Sequence, residues 1–251
     1  MALDIQRITA LRPQNSLHYF ATIDSTMVEA AKLASSGAPH GTLVVADEQI
    51  AGQGRFGRTW VSEPELGIYC SLLLRLPLPP EQLPVAALLF GLATAEAIQR
   101  VTDLTCDLRW PNDVLVRERK VAGILAQLSD SCIIAGIGVN VNQLQMPSNF
   151  RTPPSSLRIE SGGKTHSREA LLVALLEAID SFSSILVTQG RDEILRAFVA
   201  ASSYANNRRV RIEETGITGV TAGLDTNGFL LLRTDRGDLE RVASGGVRPQ
   251  A

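Results

Sequence analysis

Residues 47–60 read Asp-Glu-Gln-Ile-Ala-Gly-Gln-Gly-Arg-Phe-Gly-Arg-Thr-Trp and follow an apolar run at 42–46. Gly52, Gly54 and Gly57 alternate with Arg55 and Arg58, so the backbone can come close to a ligand while guanidinium groups offer paired donors to a carboxylate or phosphate. That is anion-binding chemistry. The stretch lacks the Gly-Lys-Ser/Thr ending of a P-loop. Its glycine spacing fits the dinucleotide fingerprint by letter only, because bulky basic residues sit in and beside the turn.

Two further stretches carry polar groups that could work with this loop. Arg109-Trp-Pro-Asn-Asp-Val-Leu-Val (109–116), a tight turn and Lys120-Val-Ala-Gly-Ile-Leu (120–125) read as a hairpin whose return strand opens with a lysine. Asn112 and Asp113 are turn-forming residue types, and Lys120 by itself is an ordinary turn lysine. Gly136-Ile-Gly-Val-Asn (136–140) supplies two small residues and an amide at the end of an apolar run.

These three stretches, in this order and at this spacing, resemble the catalytic domain of the biotin protein ligases, from about Ser25 to the C-terminus. The resemblance implies formation of biotinyl-5'-AMP from biotin and ATP, then transfer of biotin to a lysine of a biotin carboxyl carrier protein of an acyl-CoA carboxylase. Biotin, ATP and Mg²⁺ are the implied small molecules. By motif position, biotin contacts fall to Ser25, Thr26, Met27, Gln49, Gln53, Gly54, Arg55, Lys120 and Gly123. Nucleotide contacts fall to Arg55, Arg58, Trp60, Asn112, Asp113, Lys120 and Asn140. Lys120, Arg55 and Arg58 are the implied catalytic residues, with Lys120 bridging the biotin carboxylate and the α-phosphate as a compact charge. Asp113 could help place Mg²⁺ through water or phosphate oxygens, and no residue is a direct metal ligand. The chain departs from the family where Met27 stands for Asn, Gln53 for Arg and Arg109 for Lys.

The elements that must position these residues follow from periodicity. Thr26 and Glu29 have capping-box spacing ahead of Met27, Ala30, Ala31 and Ala34, which predicts a helix ended by Gly37. Strands are expected at 42–46 and 68–74. A proline-rich link at 77–80 then leads to a helix at 84–100 with Val85, Leu88, Leu89, Leu92 and Ile98 on one face. Short strands at 105–110, 114–116, 121–128 and 132–139 have connections too brief for helical crossovers, which favours a mixed α+β sheet. The stretch 143–164 reads as a long loop of the kind used for lids, and helices follow at 167–186 and 192–201. Residues 1–20 read as a short lead-in. After 206, short strands with turns at 225–228 and 235–238 predict a small β-barrel, SH3-like by the resemblance. The expected division is a catalytic domain over 1–205 and a C-terminal domain over 206–251.

Composition narrows the class. With 24 Lys and Arg against 26 Asp and Glu, the 251-residue chain has no overall electrostatic case for nucleic acid or an anionic membrane. Cys70, Cys106 and Cys132 lack metal-site spacing and read as small buried residues. The most apolar run, 85–95, falls short of the ~20 residues that span a bilayer, and no secretory signal is evident, so a cytoplasmic protein is expected. A lipoate or octanoate ligase or transferase is the nearest alternative. A DNA-binding regulator is disfavoured, since the stretch before Ser25 leaves no room for a helix-turn-helix. A non-catalytic adenylate-binding protein would leave Lys120 and Arg55 without a reason for their charge. A homodimer stays open.

Overall fold

In the computed structural model, which describes residues 1–76, 78–129, 132–148, 150 and 152–250, two sheets divide the chain. The first has seven strands: β1 (Leu17–Ile23), β2 (Leu43–Gln49), β3 (Gly67–Leu74), β4 (Asp107–Arg109), β5 (Asp113–Val116), β6 (Arg119–Ser129) and β7 (Cys132–Asn140). Their order is β1-β2-β3-β7-β6-β5-β4, parallel only between β1 and β2. The sheet is therefore mixed, as the short connections predict.

The strand β3 is buried along its whole length, and β2 and β7 along most of theirs, which is why they read as continuous apolar runs. On one face the main core joins them to α3 (Leu83–Thr102), α5 (Arg168–Gln189) and α6 (Arg191–Ala200). The opposite face carries α2 (Thr26–Ser35), whose Met27, Ala30 and Ala34 pack on Val44, Leu73 and Ile134. Beside α2, Gly123 of β6 and Gly136 and Gly138 of β7 line the site.

Both α3 and α5 are long and apolar enough to cross a membrane, a property that the 85–95 run did not show. At least half of the most apolar window of each is buried in the protein. Their composition is that of core helices.

Several expectations change. The lead-in folds: α1 (Ile5–Leu11) is capped by Asp4, and β1 forms the sheet edge. The capping box at Thr26 is not made. Ser25 is the N-cap residue, Thr26 is recruited by Gln49, and Glu29 pairs with Lys32 at 3.1 Å. The single expected hairpin is two hairpins sharing β5. Residues 110–112 turn β4 into β5, while Arg117 and Glu118, at φ 49° and 63°, turn β5 into β6. Lys120 is thus a strand residue rather than a turn lysine. Pro77 of the proline-rich link lies outside the described residues.

Residues 149 and 151 of the expected loop at 143–164 lie outside the described residues, and the rest of it is only partly irregular. Ser156 caps a single helical turn, α4 (Leu157–Glu160), and the backbone of Pro153 and Ser155 bonds both sides of Lys120.

The second sheet is antiparallel throughout, in the order β11-β10-β9-β8-β12. It comprises β8 (Asn206–Ile212), β9 (Thr218–Leu224), β10 (Leu230–Thr234), β11 (Leu239–Val242) and β12 (Val247–Pro249). This is the small SH3-like barrel, with turns at 225–228 and 235–238 as expected. The final strand β12, unforeseen from the sequence, pairs with β8. Trp110 Nε1 donates to the Gly228 carbonyl at 2.9 Å, tying the hairpin to this barrel. None of the three cysteines is in a disulfide among the described residues; Cys70 and Cys132 are buried and Cys106 is half-buried. Burial pushes the Cys70 and Cys106 thiols up to about 12.

Candidate active site

A cavity of about 430 Å³ opens on the α2 face of the sheet between α2, the loop after β2 and the β5–β6 hairpin. Every site residue singled out from the sequence lines it apart from Ser25. Ser25 is buried behind it, with a hydroxyl that has no partner among the described residues.

One end is built on Gln49, the last residue of β2. Its Oε1 accepts from the Thr26 backbone nitrogen at 2.9 Å and hydroxyl at 3.0 Å, and its Nε2 donates to Ser62 Oγ at 2.9 Å. Ser71 Oγ donates in turn to Thr26 Oγ1 at 2.8 Å. Fixed polar groups here border the buried apolar side chain of Met27, an arrangement suited to a ligand with a polar head on a compact apolar body.

The floor is made of glycines. A Cβ at Gly136 would lie 2.5 Å from Met27 Sδ, and one at Gly138 would lie 2.4 Å from Trp60 Cε2. Gly123, paired with Gly138 across β6 and β7, would meet Trp60 at 2.9 Å. The Trp60 indole therefore lies directly on the sheet, its Nε1 buried without a partner among the described residues. Gly138→Ala is expected to displace the indole and cost about 1–3 kcal/mol, the usual penalty of overpacking. A lowered melting temperature with red-shifted tryptophan emission would show this. Emission and melting identical to the parent would refute the packing.

The centre is ionic. Lys120 Nζ lies 2.6 Å from Asp113 Oδ1, and Arg109 donates to Asp113 Oδ2 at 2.5 Å. Arg109 also donates to Thr152 Oγ1 at 2.6 Å and is only 3% exposed. Thus Arg109 clamps Asp113, which in turn holds Lys120. Lys120 stays a quarter exposed, its ammonium 5.4 Å from the Trp60 ring centroid.

Burial alone would raise the Asp113 carboxyl, but the Lys120 and Arg109 charges outweigh it and hold it at about 2. Because this lies below the unfolded value, the stabilisation is fully present above about pH 4 and is lost as pH falls through about 2. The gap in melting temperature between the parent and Asp113→Asn is therefore expected to be constant above pH 4 and to narrow toward pH 2. A gap that persists unchanged to pH 2 would show Asp113 is not held as described.

The loop arginines point toward the barrel. Arg55 donates to Asn112 Oδ1 at 3.2 Å and to the Gly245 carbonyl at 3.5 Å, and Asn112 Nδ2 donates to the Ile124 carbonyl. Burial pushes the Arg55 guanidinium down, Asp113 and Glu214 push it up, and Arg58 adds a smaller downward push. Arg58 lies 3.6 Å from both Glu213 and Glu214. An entering phosphate would compete with these carboxylates for Arg58.

Gln53 and Gly54 form the loop's inner turn, with Gln53 bridged to Thr59. Asn140 closes the far end, donating to the Ser155 carbonyl at 3.0 Å. Sequence reasoning missed Thr152, Gln143 and the barrel residues Glu213, Gly246 and Arg248, which also line the cavity. Their segments have no motif, and only tertiary folding brings them here.

The family described as Biotin/lipoate A/B protein ligase matches residues 19–143. The bifunctional ligase/repressor BirA of Bacillus subtilis is 33% identical over 92% of this chain and 73% of its own length. The biotin–[acetyl-CoA-carboxylase] ligase of Mycobacterium tuberculosis is 32% identical over 92% of this chain and 87% of its own. In three dimensions, the biotin protein ligase from Aquifex aeolicus in complex with biotin and ATP superposes with a TM-score of 0.81 at 31% identity, covering 94% of this chain and 99% of that one.

Proposed function

The chain belongs to the biotin/lipoate A/B protein ligase family, and from that premise we propose how its cavity does the work of an ATP-dependent biotin protein ligase. The Mycobacterium tuberculosis relative and the Aquifex aeolicus structure are named as biotin ligases, which favours biotin over lipoate. The observation that carries the residue-level reading is one cavity with three parts: a polar-rimmed apolar end at Thr26 and Gln49, a clamped lysine at its centre, and arginines at its mouth.

In the first step a biotin carboxylate oxygen attacks the α-phosphorus of ATP. The new acyl–phosphate bond forms as the bond to the bridging oxygen breaks, and pyrophosphate leaves with that electron pair. The bicyclic ring of biotin lies against Met27 and Gly136, with its polar atoms toward Thr26 and Gln49. Lys120 stands where carboxylate and phosphate meet, its position set by Asp113 and Arg109, and offsets the charge repulsion between them. In the second step the carrier lysine's neutral amine attacks the acyl carbon, AMP departs, and the amine sheds a proton. No protein nucleophile is needed.

Magnesium is expected with ATP, but the donor set does not fit a protein-built cage. Both Asp113 oxygens are engaged by cations, and no group of three His, Cys, Asp or Glu gathers among the described residues. In this reading the ion arrives on the nucleotide's phosphates, and Asp113 serves Lys120 rather than the metal.

The acceptor is a biotin carboxyl carrier domain, in line with the acetyl-CoA-carboxylase ligases among the relatives. The boundary between catalytic and C-terminal domains falls at 205/206, and the cytoplasm is the compartment where this reaction's substrates meet. Incubating the protein with labelled biotin, MgATP and a carrier domain should place label on a single lysine. Label driven equally by lipoate, or none with biotin, would defeat the reading.

A further inference from the structure

We propose that Ser155 and Glu160 act as a positioning pair for Lys120, holding the bulged backbone that turns its side chain into the cavity. This rests on the ligase reading above and deepens it.

Side chains alternate between the two faces along a strand. On β6, Ala122 and Ile124 belong to the buried core, whereas Gly123 lines the cavity on the other face. By that alternation Lys120 would point into the core with Ala122. It lines the cavity instead. The reason is a bulge: Val114 pairs with Ala122 but Leu115 pairs with Lys120, which leaves Val121 as an extra residue on β6. Val121 joins the core, and Lys120 is carried to the cavity side.

A bulge disrupts the ladder locally, and β7 gives no support there, since it pairs with β6 only from Ala122 on. Residues 153–155 take that place. The Lys120 backbone nitrogen donates to the Pro153 carbonyl at 2.9 Å, and the Ser155 backbone nitrogen donates to the Lys120 carbonyl at 2.9 Å. A buried carboxylate fixes this bracket in turn. Ser155 Oγ donates to Glu160 Oε1 at 2.5 Å, and the two residues are only 1% and 4% exposed. Glu160 is itself held by the hairpin, 3.4 Å from Arg117 and 3.7 Å from Arg119. The circuit closes on the lysine: two arginines beside the β5–β6 turn hold Glu160, Glu160 holds Ser155, and Ser155 holds the Lys120 backbone. Asp113 sets where the ammonium ends, and the bracket sets where the side chain starts. A charge-assisted bond out of reach of water suits that task, because a reacting group displaced by about 1 Å loses much of its effect.

Biotin-dependent pyrophosphate exchange tests the pair. Ser155→Ala should lower kcat roughly tenfold, the scale for losing one charge-assisted hydrogen bond, with KM for biotin and ATP little changed. Ser155→Thr restores the hydroxyl and should recover most of the loss. In a Lys120→Ala background the same Ser155→Ala change should cost nothing further, because the bracket acts through Lys120. Biotin calorimetry checks that each variant is folded. If Ser155→Ala does not fold, Glu160→Gln, which keeps the size of the acceptor and removes its charge, takes its place. Parental kcat in the folded variant overturns the inference, as does an equal loss with and without Lys120 or a Ser155→Thr variant no better than Ser155→Ala. A second readout needs no turnover: trace acetylation of the Lys120 amine, followed by peptide mass spectrometry, should rise severalfold in Ser155→Ala and return in Ser155→Thr. Labelling unchanged by Ser155→Ala overturns the bracket. A parent without exchange whose labelling still follows this pattern defeats the ligase reading and leaves the bracket standing.

Discussion

Lys120→Ala is expected to fold like the parent and to lose biotinyl-adenylate synthesis by roughly 10²- to 10³-fold, the usual scale for removing one preorganised charge at a reacting oxygen. The fold should survive, because Asp113 keeps its bond to Arg109, itself anchored by Thr152, and is not left as a lone buried anion. The first step suffers because the carboxylate and the α-phosphate repel one another, and the neighbouring Arg109 is buried and committed to Asp113 and Thr152. Pyrophosphate exchange measured at saturating biotin and ATP checks this, since the loss should lie mainly in kcat. Near-parental exchange would remove Lys120 from the chemistry and leave it as a lid over Trp60.

Arg55→Gly should separate making the intermediate from keeping it. An acyl-adenylate reacts with water and with any amine, so a ligase must enclose it until the carrier arrives. Arg55 is the residue that ties the glycine loop to the Asn112 turn and to the barrel at Gly245. Replacing it with glycine removes the tie and loosens the backbone together, while the Lys120–Asp113–Arg109 group is untouched. The variant should still consume biotin and ATP but release biotinyl-adenylate, labelling bystander proteins on scattered lysines. Free adenylate measured by chromatography should rise at least tenfold relative to the parent, the scale for losing one charge-assisted contact. Failure to make adenylate would place Arg55 in the first chemical step instead, and behaviour identical to the parent would take it out of the site.

The site could be read from the sequence because its parts are short-range. The glycine–arginine loop, the Trp-Pro-Asn-Asp turn and the lysine four residues past Val116 are each local patterns, and their side chains do meet in one cavity. What could not be read is how those side chains restrain one another. Asp113 looks like a turn former by type, yet its work is to hold Lys120, a relation set by pairing of β5 with β6 and by Arg109 at the end of β4. Gln143 sits in a stretch without periodicity, and its constraint comes from Tyr69, 74 residues earlier. The same holds for the fold. Continuous apolar runs gave away β2, β3 and β7, whereas β1 is a half-buried edge strand without clean alternation, and α1 has only Ile8 fully buried. Thr26 shows how local rules fail at a site: the spacing that would cap a helix is overridden when a distant glutamine claims the hydroxyl.

The three cysteines make the molecule convenient to instrument. Cys70 and Cys132 are sealed in the sheet, and the Cys70 and Cys106 thiols sit near 12, so at neutral pH these two present almost no thiolate to an alkylating dye. A cysteine placed at the exposed Phe56 would be the preferred point of attachment in an otherwise native chain. One fluorophore there, read against the nearby indole of Trp60, would follow the glycine loop in real time as substrates arrive, without first stripping any natural thiol.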